Sequence, residues 1–180
     1  MKGIVFREFL ELVENSFGLD TVEDIIEKSN LPSKGAYTTI GTYDFSEMLS
    51  LINNLSDMTE MSVNDLLYIY GLHFFDILQR DYRSVLSSYK DPIELLSSVE
   101  SQIHVEVKKI YPDAELPRFE VLDKTEISLN MIYYSSRSMY SFAYGLMEKA
   151  FKFYNQQALI TYDLLKDDGS EVKFEIFRNV

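Results

Sequence analysis

Apolar residues recur at helical spacing along the first part of the chain. Residues 2–17 carry them on one face, which predicts an amphipathic helix. A shorter second helix is predicted to begin at Thr21, where a Thr-x-x-Asp pattern occurs, and to end before Pro32. After a loop rich in Gly, Ser and Thr, the pattern predicts a third helix near residues 45–57 and a longer one that opens at Ser62. The N-terminal half is therefore predicted to be helical.

The pattern changes in the second half of the chain. Asp91 and Pro92 predict a helix start, because Asp is a good cap and Pro suits the first helical position, and this helix carries His104. Beyond Pro117, the runs RFEVL and EISLNMIYY predict paired strands, and a helical pattern returns over residues 138–154. The runs ALITYDLL and EVKFEIF flank an Asp-Gly pair that is typical of a hairpin. We predict an α+β fold, with a helical N-terminal half and a C-terminal half that holds an antiparallel sheet of about four strands.

Length and charge narrow the possible classes of protein. The 180 residues suit one domain, residues 1–180, with a helical part over about 1–60 and the His104 helix and the sheet over about 61–180. The formal net charge of -12 argues against binding to nucleic acid or to an anionic membrane. The acidic N-terminal stretch lacks an apolar run long enough for a signal peptide or a membrane span. Since the chain has no cysteine either, we expect a soluble, cytoplasmic protein.

The first candidate for chemistry is His104, at the border of the apolar stripe of its helix. An isolated His in such a position is usually only a half-buried residue. Neutral imidazole is nevertheless among the commonest metal ligands and is a frequent axial ligand to haem iron. Ser97 and Ser101 precede His104 on the same flank, and their short side chains would leave room for a flat group beside the ring.

The second candidate is the pattern Tyr133-x-Ser135-x-Arg137. Alternate residues of a strand project from the same face, so a phenol, a hydroxyl and a guanidinium are predicted to lie side by side. The guanidinium fork suits a carboxylate, and the hydroxyls add donors. Without His104, an Arg at a strand edge that pairs with a surface carboxylate would be the favoured explanation of the pattern. Together, one His and three donors suit the iron and the two propionates of a haem.

These residues resemble the signature of the H-NOX family, the haem-nitric oxide/oxygen binding domains related to the haem domain of soluble guanylate cyclase. The opening MKGIV, the spacing from His104 to Pro117 and the later pair Gly145 and Leu146 also match. The resemblance covers nearly the whole chain and implies the H-NOX fold, with the haem held between the two halves.

The resemblance also implies a role for each candidate residue. His104 becomes the proximal ligand to the iron of haem b, iron protoporphyrin IX. Tyr133, Ser135 and Arg137 hold the propionates, and Pro117 presses on the macrocycle and helps to distort it.

Gas selectivity is predicted from the position at which oxygen-binding members carry a distal tyrosine. Counting from the matching motifs places Phe142 there. The predicted distal pocket consists of Val5, Phe9, Phe74, Phe142 and Leu146. Because it offers no hydrogen-bond donor, we expect a selective nitric oxide sensor that also binds carbon monoxide and binds oxygen poorly or not at all. Tyr140 and Tyr144 lie about 200° around the helix from Phe142 and are expected to face away.

The resemblance implies a way in which binding becomes a signal. Nitric oxide bound opposite His104 weakens and can break the iron–histidine bond, so that strain at Pro117 relaxes and the population shifts between two packings. The signal is expected to pass to a separate protein, which for similar bacterial domains is a sensor histidine kinase or an enzyme of cyclic-di-GMP turnover. We expect no enzyme activity, since the sequence contains no Gly-rich phosphate loop, no Gly-x-Ser-x-Gly elbow and no Cys nucleophile.

Two alternatives remain open from the residues alone. A non-haem binding module could hold a fatty acid or a bilin, with Arg137 as the anion clamp, and would be colourless and tolerate His104→Ala. An oxygen carrier or haem-storage protein would form a stable oxygen complex in air.

Overall fold

The helices and strands follow the order that the sequence pattern predicts. The structure, a computed structural model, describes residues 1–179. Its α-helices are α1 (Gly3–Phe17), α2 (Leu19–Ser29), α3 (Phe45–Thr59), α4 (Val63–Asp81), α5 (Arg83–Leu86), α6 (Pro92–Ser97), α7 (His104–Ile110) and α8 (Tyr140–Phe153). Its strands are β1 (Arg118–Lys124), β2 (Ser128–Tyr134), β3 (Ala158–Leu164) and β4 (Glu171–Arg178). A π-helical turn, Val99–Ile103, lies between α6 and α7.

Capping side chains determine several of these boundaries. Asp91 accepts a hydrogen bond from the backbone N–H of Glu94 at 2.9 Å, and Pro92 occupies the first turn of α6, as predicted. Helix α2 ends at Ser29, and Asn30 follows in the left-handed conformation.

The predicted start of the second helix at Thr21 is wrong. Helix α2 begins at Leu19, directly after Gly18, which has a φ of 92° and separates α1 from α2. Thr21 lies inside the first turn, and its hydroxyl donates to the carbonyl of Phe17 at 3.0 Å. The hydroxyl thus bonds backward to a carbonyl at the end of α1, as helical Thr side chains commonly do.

Backbone contacts divide the chain into two compact units, and the first comprises residues 1–66. Within it, α1 packs on α2 and α2 packs on α3. A bridge between Lys2 and Thr42 joins the start of the chain to the loop before α3. The buried carboxylate of Glu47 accepts hydrogen bonds from the hydroxyls of Tyr37, at 2.9 Å, and of Ser33. Since one domain can contain two such units, the predicted single domain stays a prediction.

The second unit begins at Leu67 and contains the sheet. The strand order is β1-β2-β4-β3, and all neighbours are antiparallel, which confirms the predicted sheet and both predicted pairings. One face is apolar and buried, because side chains alternate along each strand. From the central strands it presents Leu129, Met131, Tyr133, Val172, Phe174 and Ile176. Helix α8 packs against α6 and β3, and α6 packs against β1 and β2.

The predicted helix from Pro92 through His104 is interrupted. Helix α6 ends at Ser97, and five residues form the π-helical turn before α7 begins. The wider turn shifts later side chains away from the face that a 3.6-residue period predicts. Ile93 is 1% exposed on α6, whereas Ile110 on α7 is 53% exposed. Burial along the predicted apolar stripe therefore decreases after α6: Ile103 of the π turn still packs against the core, but none of the described residues in the π turn or α7 is fully buried.

Helices α4 and α8 approach each other through two glycines. A Cβ added at Gly145 would lie 2.3 Å from the carbonyl oxygen of Tyr68 and 3.0 Å from the backbone nitrogen of Leu72. A Cβ added at Gly71 would lie 2.2 Å from the carbonyl oxygen of Phe142. The two backbones are thus in direct contact.

In the part of the chain that the structure describes, no helix combines the length and the apolar character that crossing a bilayer requires.

We expect Gly145→Ala to lower the free energy of unfolding by about 1–3 kcal/mol. Alanine favours a helix by roughly 1 kcal/mol over glycine, but the clash is with backbone atoms that no rotamer change can move. Denaturant unfolding of the variant measures the difference. Asn53→Ala, at an exposed position of α3, is the control and should change stability by less than about 0.5 kcal/mol. An unchanged or raised stability for Gly145→Ala would contradict the close approach.

Candidate functional site

His104 is the first residue of α7, and its side chain is only 13% exposed. The Nδ1 atom lies 3.2 Å from a carboxylate oxygen of Glu100. Burial lowers the pKa of the His104 imidazole, while the Glu100 carboxylate opposes that shift. The neutral ring is therefore favoured at neutral pH. When neutral His104 donates its Nδ1–H to Glu100, the lone pair that can bind a metal lies on Nε2.

Glu100, one turn before His104, provides the side chain that contacts the imidazole ring. Ser101, which was expected to leave space on the same flank, is exposed. The hydroxyl of Ser97 donates to the carbonyl of Glu94 at 3.0 Å and accepts from the Lys124 ammonium at 2.8 Å. The π turn explains the difference, because it changes which residues share a flank with His104.

Tyr133, Ser135 and Arg137 come together, but not as alternate residues of one strand. Strand β2 ends at Tyr134, and the next residues form a turn. The Ser135 hydroxyl accepts from the backbone N–H of Arg137 at 3.1 Å and hydrogen-bonds the Tyr133 phenol. The prediction of a shared strand face is wrong, since a short polar side chain that bonds the backbone two residues on favours a turn.

The phenol of Tyr133 is buried at the end of β2. Its oxygen accepts the backbone N–H of Met139 at 3.0 Å, just before α8. Burial raises the pKa of Tyr133, although the hydrogen bonds with Ser135 and Met139 act in the opposite direction. The phenol therefore stays protonated at neutral pH and retains its O–H as a donor.

Arg137 binds a carboxylate in the structure. Its guanidinium donates to the backbone carbonyl of Glu115 at 2.8 Å and also to the Glu115 carboxylate. The Arg137 side chain is 16% exposed, whereas that of Glu115 is 82% exposed. One nitrogen of a largely buried guanidinium thus binds a carboxylate that comes from solvent, in a charge-assisted hydrogen bond, while another nitrogen binds a backbone carbonyl. Glu115 belongs to no motif in the sequence, so its contact with Arg137 was not predicted.

Phe119 connects the two candidate groups. Its ring centroid lies 6.0 Å from that of His104 and 5.5 Å from that of Tyr133. It is the second residue of β1, which begins directly after the half-buried Pro117. The segment before β1 therefore brings Pro117 close in sequence to the ring that lies between His104 and Tyr133. No motif identified Phe119 in advance.

Two of the predicted distal residues contact each other. The ring centroids of Phe74 and Phe142 are 5.5 Å apart. The buried Tyr70, which was not among the predicted distal residues, lies 5.0 Å from Phe142 and 5.7 Å from Phe74. Tyr70 is one turn before Phe74 on α4, so helical spacing could have suggested it.

The other aromatic residues of α8 face a different neighbour. Tyr140 and Tyr144 contact Tyr162 of β3, with centroid distances of 5.3 Å and 6.0 Å. The prediction that they point away from Phe142 is confirmed. Leu146 follows on α8 and packs against the core of the second unit. In the first unit, Phe9 is buried and Val5 partly buried, both on α1.

The donor set suits a metal that arrives within a macrocycle. Among residues 1–179, no group of three or more His, Cys, Asp or Glu side chains could hold a bare metal ion. A metal bound by His104 alone needs its remaining ligands from a cofactor, and a haem supplies four of them through its porphyrin nitrogens. The guanidinium of Arg137, which already binds a carboxylate, suits the acid groups of such a cofactor.

A family model described as Haem-NO-binding matches residues 2–162 of the chain. The chain belongs to the haem-NO-binding (H-NOX) family. The predicted family is thereby confirmed, and H-NOX domains are haem-based gas sensors that bind gases such as nitric oxide.

Solved H-NOX structures agree with the fold of this chain. The Fe(II) unliganded H-NOX protein from K. algicida is 56% identical to this chain. The match spans 100% of this chain and 97% of the K. algicida protein, with a TM-score of 0.98. The H-NOX from Shewanella woodyi in the Fe(II)CO ligation state is 34% identical, with 99% and 95% coverage and a TM-score of 0.84. An H-NOX protein from S. oneidensis in the Fe(II)NO ligation state is 23% identical, with 100% coverage of both chains, and shows the shared fold at a TM-score of 0.91.

In this H-NOX chain we expect Tyr133→Phe to lower the free energy of unfolding by roughly 1–3 kcal/mol, because the buried N–H of Met139 loses its acceptor. Thermal unfolding of the haem-free protein measures the loss. The matched control is Tyr134→Phe, whose hydroxyl meets the exposed Glu120 carboxylate at 3.2 Å and should matter by less than about 0.5 kcal/mol. Equal effects of the two substitutions would show that the Tyr133 hydroxyl does not secure this turn.

Proposed function

We propose that the chain senses nitric oxide at ferrous haem b, with His104 as the proximal ligand. The observation that carries this proposal is a largely buried, neutral imidazole joined through Phe119 to a donor group that binds a carboxylate. A family of haem-based gas sensors provides the context. Carbon monoxide is a second ligand, and oxygen binds poorly or not at all.

Each residue of the site has a distinct task toward the cofactor. His104 binds the iron through Nε2, because Nδ1 faces Glu100. Arg137, Ser135 and Tyr133 bind the propionates, and a propionate takes the place on the guanidinium that the exposed Glu115 carboxylate holds. Pro117, directly before β1, contacts the macrocycle. These residues would hold a haem, which would supply an iron at which a diatomic gas can bind.

Gas selectivity follows from the side chains on the distal side. Phe74 and Phe142 offer rings without a hydrogen-bond donor, and bound oxygen depends on a donor far more than nitric oxide does. The phenol ring of Tyr70 contacts both of these rings. If the protein binds oxygen, the Tyr70 hydroxyl is the candidate hydrogen-bond donor, and Tyr70 is the residue to substitute. Leu146, on the same helix as Phe142, completes the part of the pocket that lies in the second unit, and Val5 and Phe9 of the first unit stay predicted members.

In the proposed signal, His104 would hold the iron of a bound haem, and its release would start the change. Helix α7 has no fully buried side chain among its described residues, so its displacement exposes little apolar surface and costs little free energy. A change at His104 therefore reaches the π turn and β1 without unpacking the core of the second unit.

We further propose that the output is binding to a separate protein, a sensor histidine kinase or a cyclic-di-GMP enzyme, and that the chain has no enzyme activity of its own.

Spectroscopy of the haem-loaded chain tests the proposed function. We expect the reduced protein to show an iron–histidine stretching band in resonance Raman spectra, nitric oxide to abolish the band, and oxygen to leave the ferrous absorption spectrum unchanged. His104→Ala should remove the band, whereas His73→Ala, which replaces the other histidine, should retain it. A band that survives His104→Ala would disprove the assigned ligand. A stable oxygen complex would refute the selectivity, and its loss in Tyr70→Phe would identify the donor.

Haem retention tests the role of Arg137. We expect Arg137→Ala to lose haem to an excess of a haem-scavenging protein roughly tenfold faster, because a hydrogen bond to a charged group contributes about 1.5–3 kcal/mol. The matched control is Arg118→Ala, which removes an exposed guanidinium paired with Glu120 at 3.0 Å. Equal rates of haem loss for the two variants and the wild type would rule out the propionate clamp.

A further inference from the structure

One carboxylate oxygen of Glu100 bonds two different parts of the second unit. It lies 3.2 Å from Nδ1 of His104 and accepts the backbone N–H of Phe119 at 3.0 Å. His104 belongs to α7 and Phe119 to β1, and β1 also packs against the π turn that contains Glu100. A single oxygen atom thus joins the candidate iron ligand to the edge of the sheet.

The π turn places Glu100 where it can make both contacts. The backbone N–H of Ile103 bonds the carbonyl of Ser98, five residues back, at 3.3 Å, and the N–H of Gln102 bonds the same carbonyl at 2.8 Å. This widened turn precedes His104 directly, and π-helical turns inside helices are frequent at functional sites.

We infer that Glu100 is a positioning residue for the haem ligand, which it orients, holds in one tautomer and makes a stronger donor to iron. The inference rests on the proposed role of His104. A carboxylate that accepts the second ring N–H of a metal-bound His fixes the ring and raises its basicity, and loss of such a partner typically costs 10- to 100-fold in metal affinity. Glu100 therefore strengthens the very bond that nitric oxide has to break.

The shared oxygen also couples release of the ligand to the sheet. If His104 moves away alone, Glu100 keeps Phe119 and loses the imidazole. If Glu100 follows the imidazole, the N–H of Phe119 loses its acceptor, which carries a cost when such a group is shielded from water. The strength of the Glu100 contact thus sets how readily His104 leaves.

A purely structural role for Glu100 would be to tie the π turn to β1. Glu100→Gln separates the two roles, because the amide oxygen can still accept the N–H of Phe119 but carries no charge toward His104. Glu100→Ala removes both contacts. Glu106→Ala is the matched control, since it removes a carboxylate on α7 that pairs with Lys109 at 2.6 Å and is largely exposed.

The test uses the full chain loaded with haem and reduced. We expect Glu100→Ala to lower the frequency of the iron–histidine stretching band and to lose haem roughly tenfold faster than the wild type. Glu100→Gln should lower the band frequency as well, with haem loss closer to that of the wild type. Glu106→Ala should match the wild type in both measurements.

The band frequency decides the outcome. If Glu100→Ala and Glu100→Gln both keep the wild-type frequency, the carboxylate does not act on the ligand and the inference is overturned. Should Glu100→Ala fail to fold, the frequency in Glu100→Gln decides by itself. A wild-type protein that lacks the band overturns the proposed function together with this inference, whereas an unshifted band in the variants overturns the role of Glu100 alone.

Discussion

The position of the His104 ring depends on one irregularity of the backbone, the π-helical turn directly before it. The turn brings Glu100 against the imidazole, and it precedes a helix, α7, in which no described residue is fully buried. A regular α-helix from Pro92 onward would have continued the buried stripe of Ile93 and Leu96 and packed the ligand helix against the sheet. If His104 binds iron as proposed, the sparse packing of α7 leaves the imidazole free to respond to that bond.

The parts of the fold that could be predicted are those that local chemistry determines. Asp91 and Pro92 mark a helix start through capping, and the alternation in EISLNMIYY marks a strand with one buried face. The failures have a common cause, which is competition from contacts distant in sequence or from polar side chains near a boundary. The π turn carries a hydrogen bond from Phe119 to Glu100, 19 residues apart, and no helical period contains that information. Strand β2 ends early because Ser135 bonds the backbone of Arg137.

The candidate site was predictable by residue type but not by geometry. The sequence identified an imidazole and a guanidinium, since few side chains suit iron and carboxylates so well. It did not identify Glu115, Phe119 or Tyr70, because a carboxylate or an aromatic ring has no distinctive spacing until the fold brings it to its partner. The family match supports the haem-based character of the site, and the gas and the partner protein are proposals that rest on the residues around it.

Helix α7 is seven residues long, shorter than an isolated helix needs to be stable in water. With so little packing of its own, its order depends on what is attached at its ends, and the imidazole is attached at the first residue. With the proposed coordination by His104, metal binding and helicity would be thermodynamically linked, so that a ligand which displaced the histidine would also favour fraying of the segment after it. Displacement of the histidine from the iron would thereby raise the conformational entropy of the chain at the surface, where another macromolecule can detect the change.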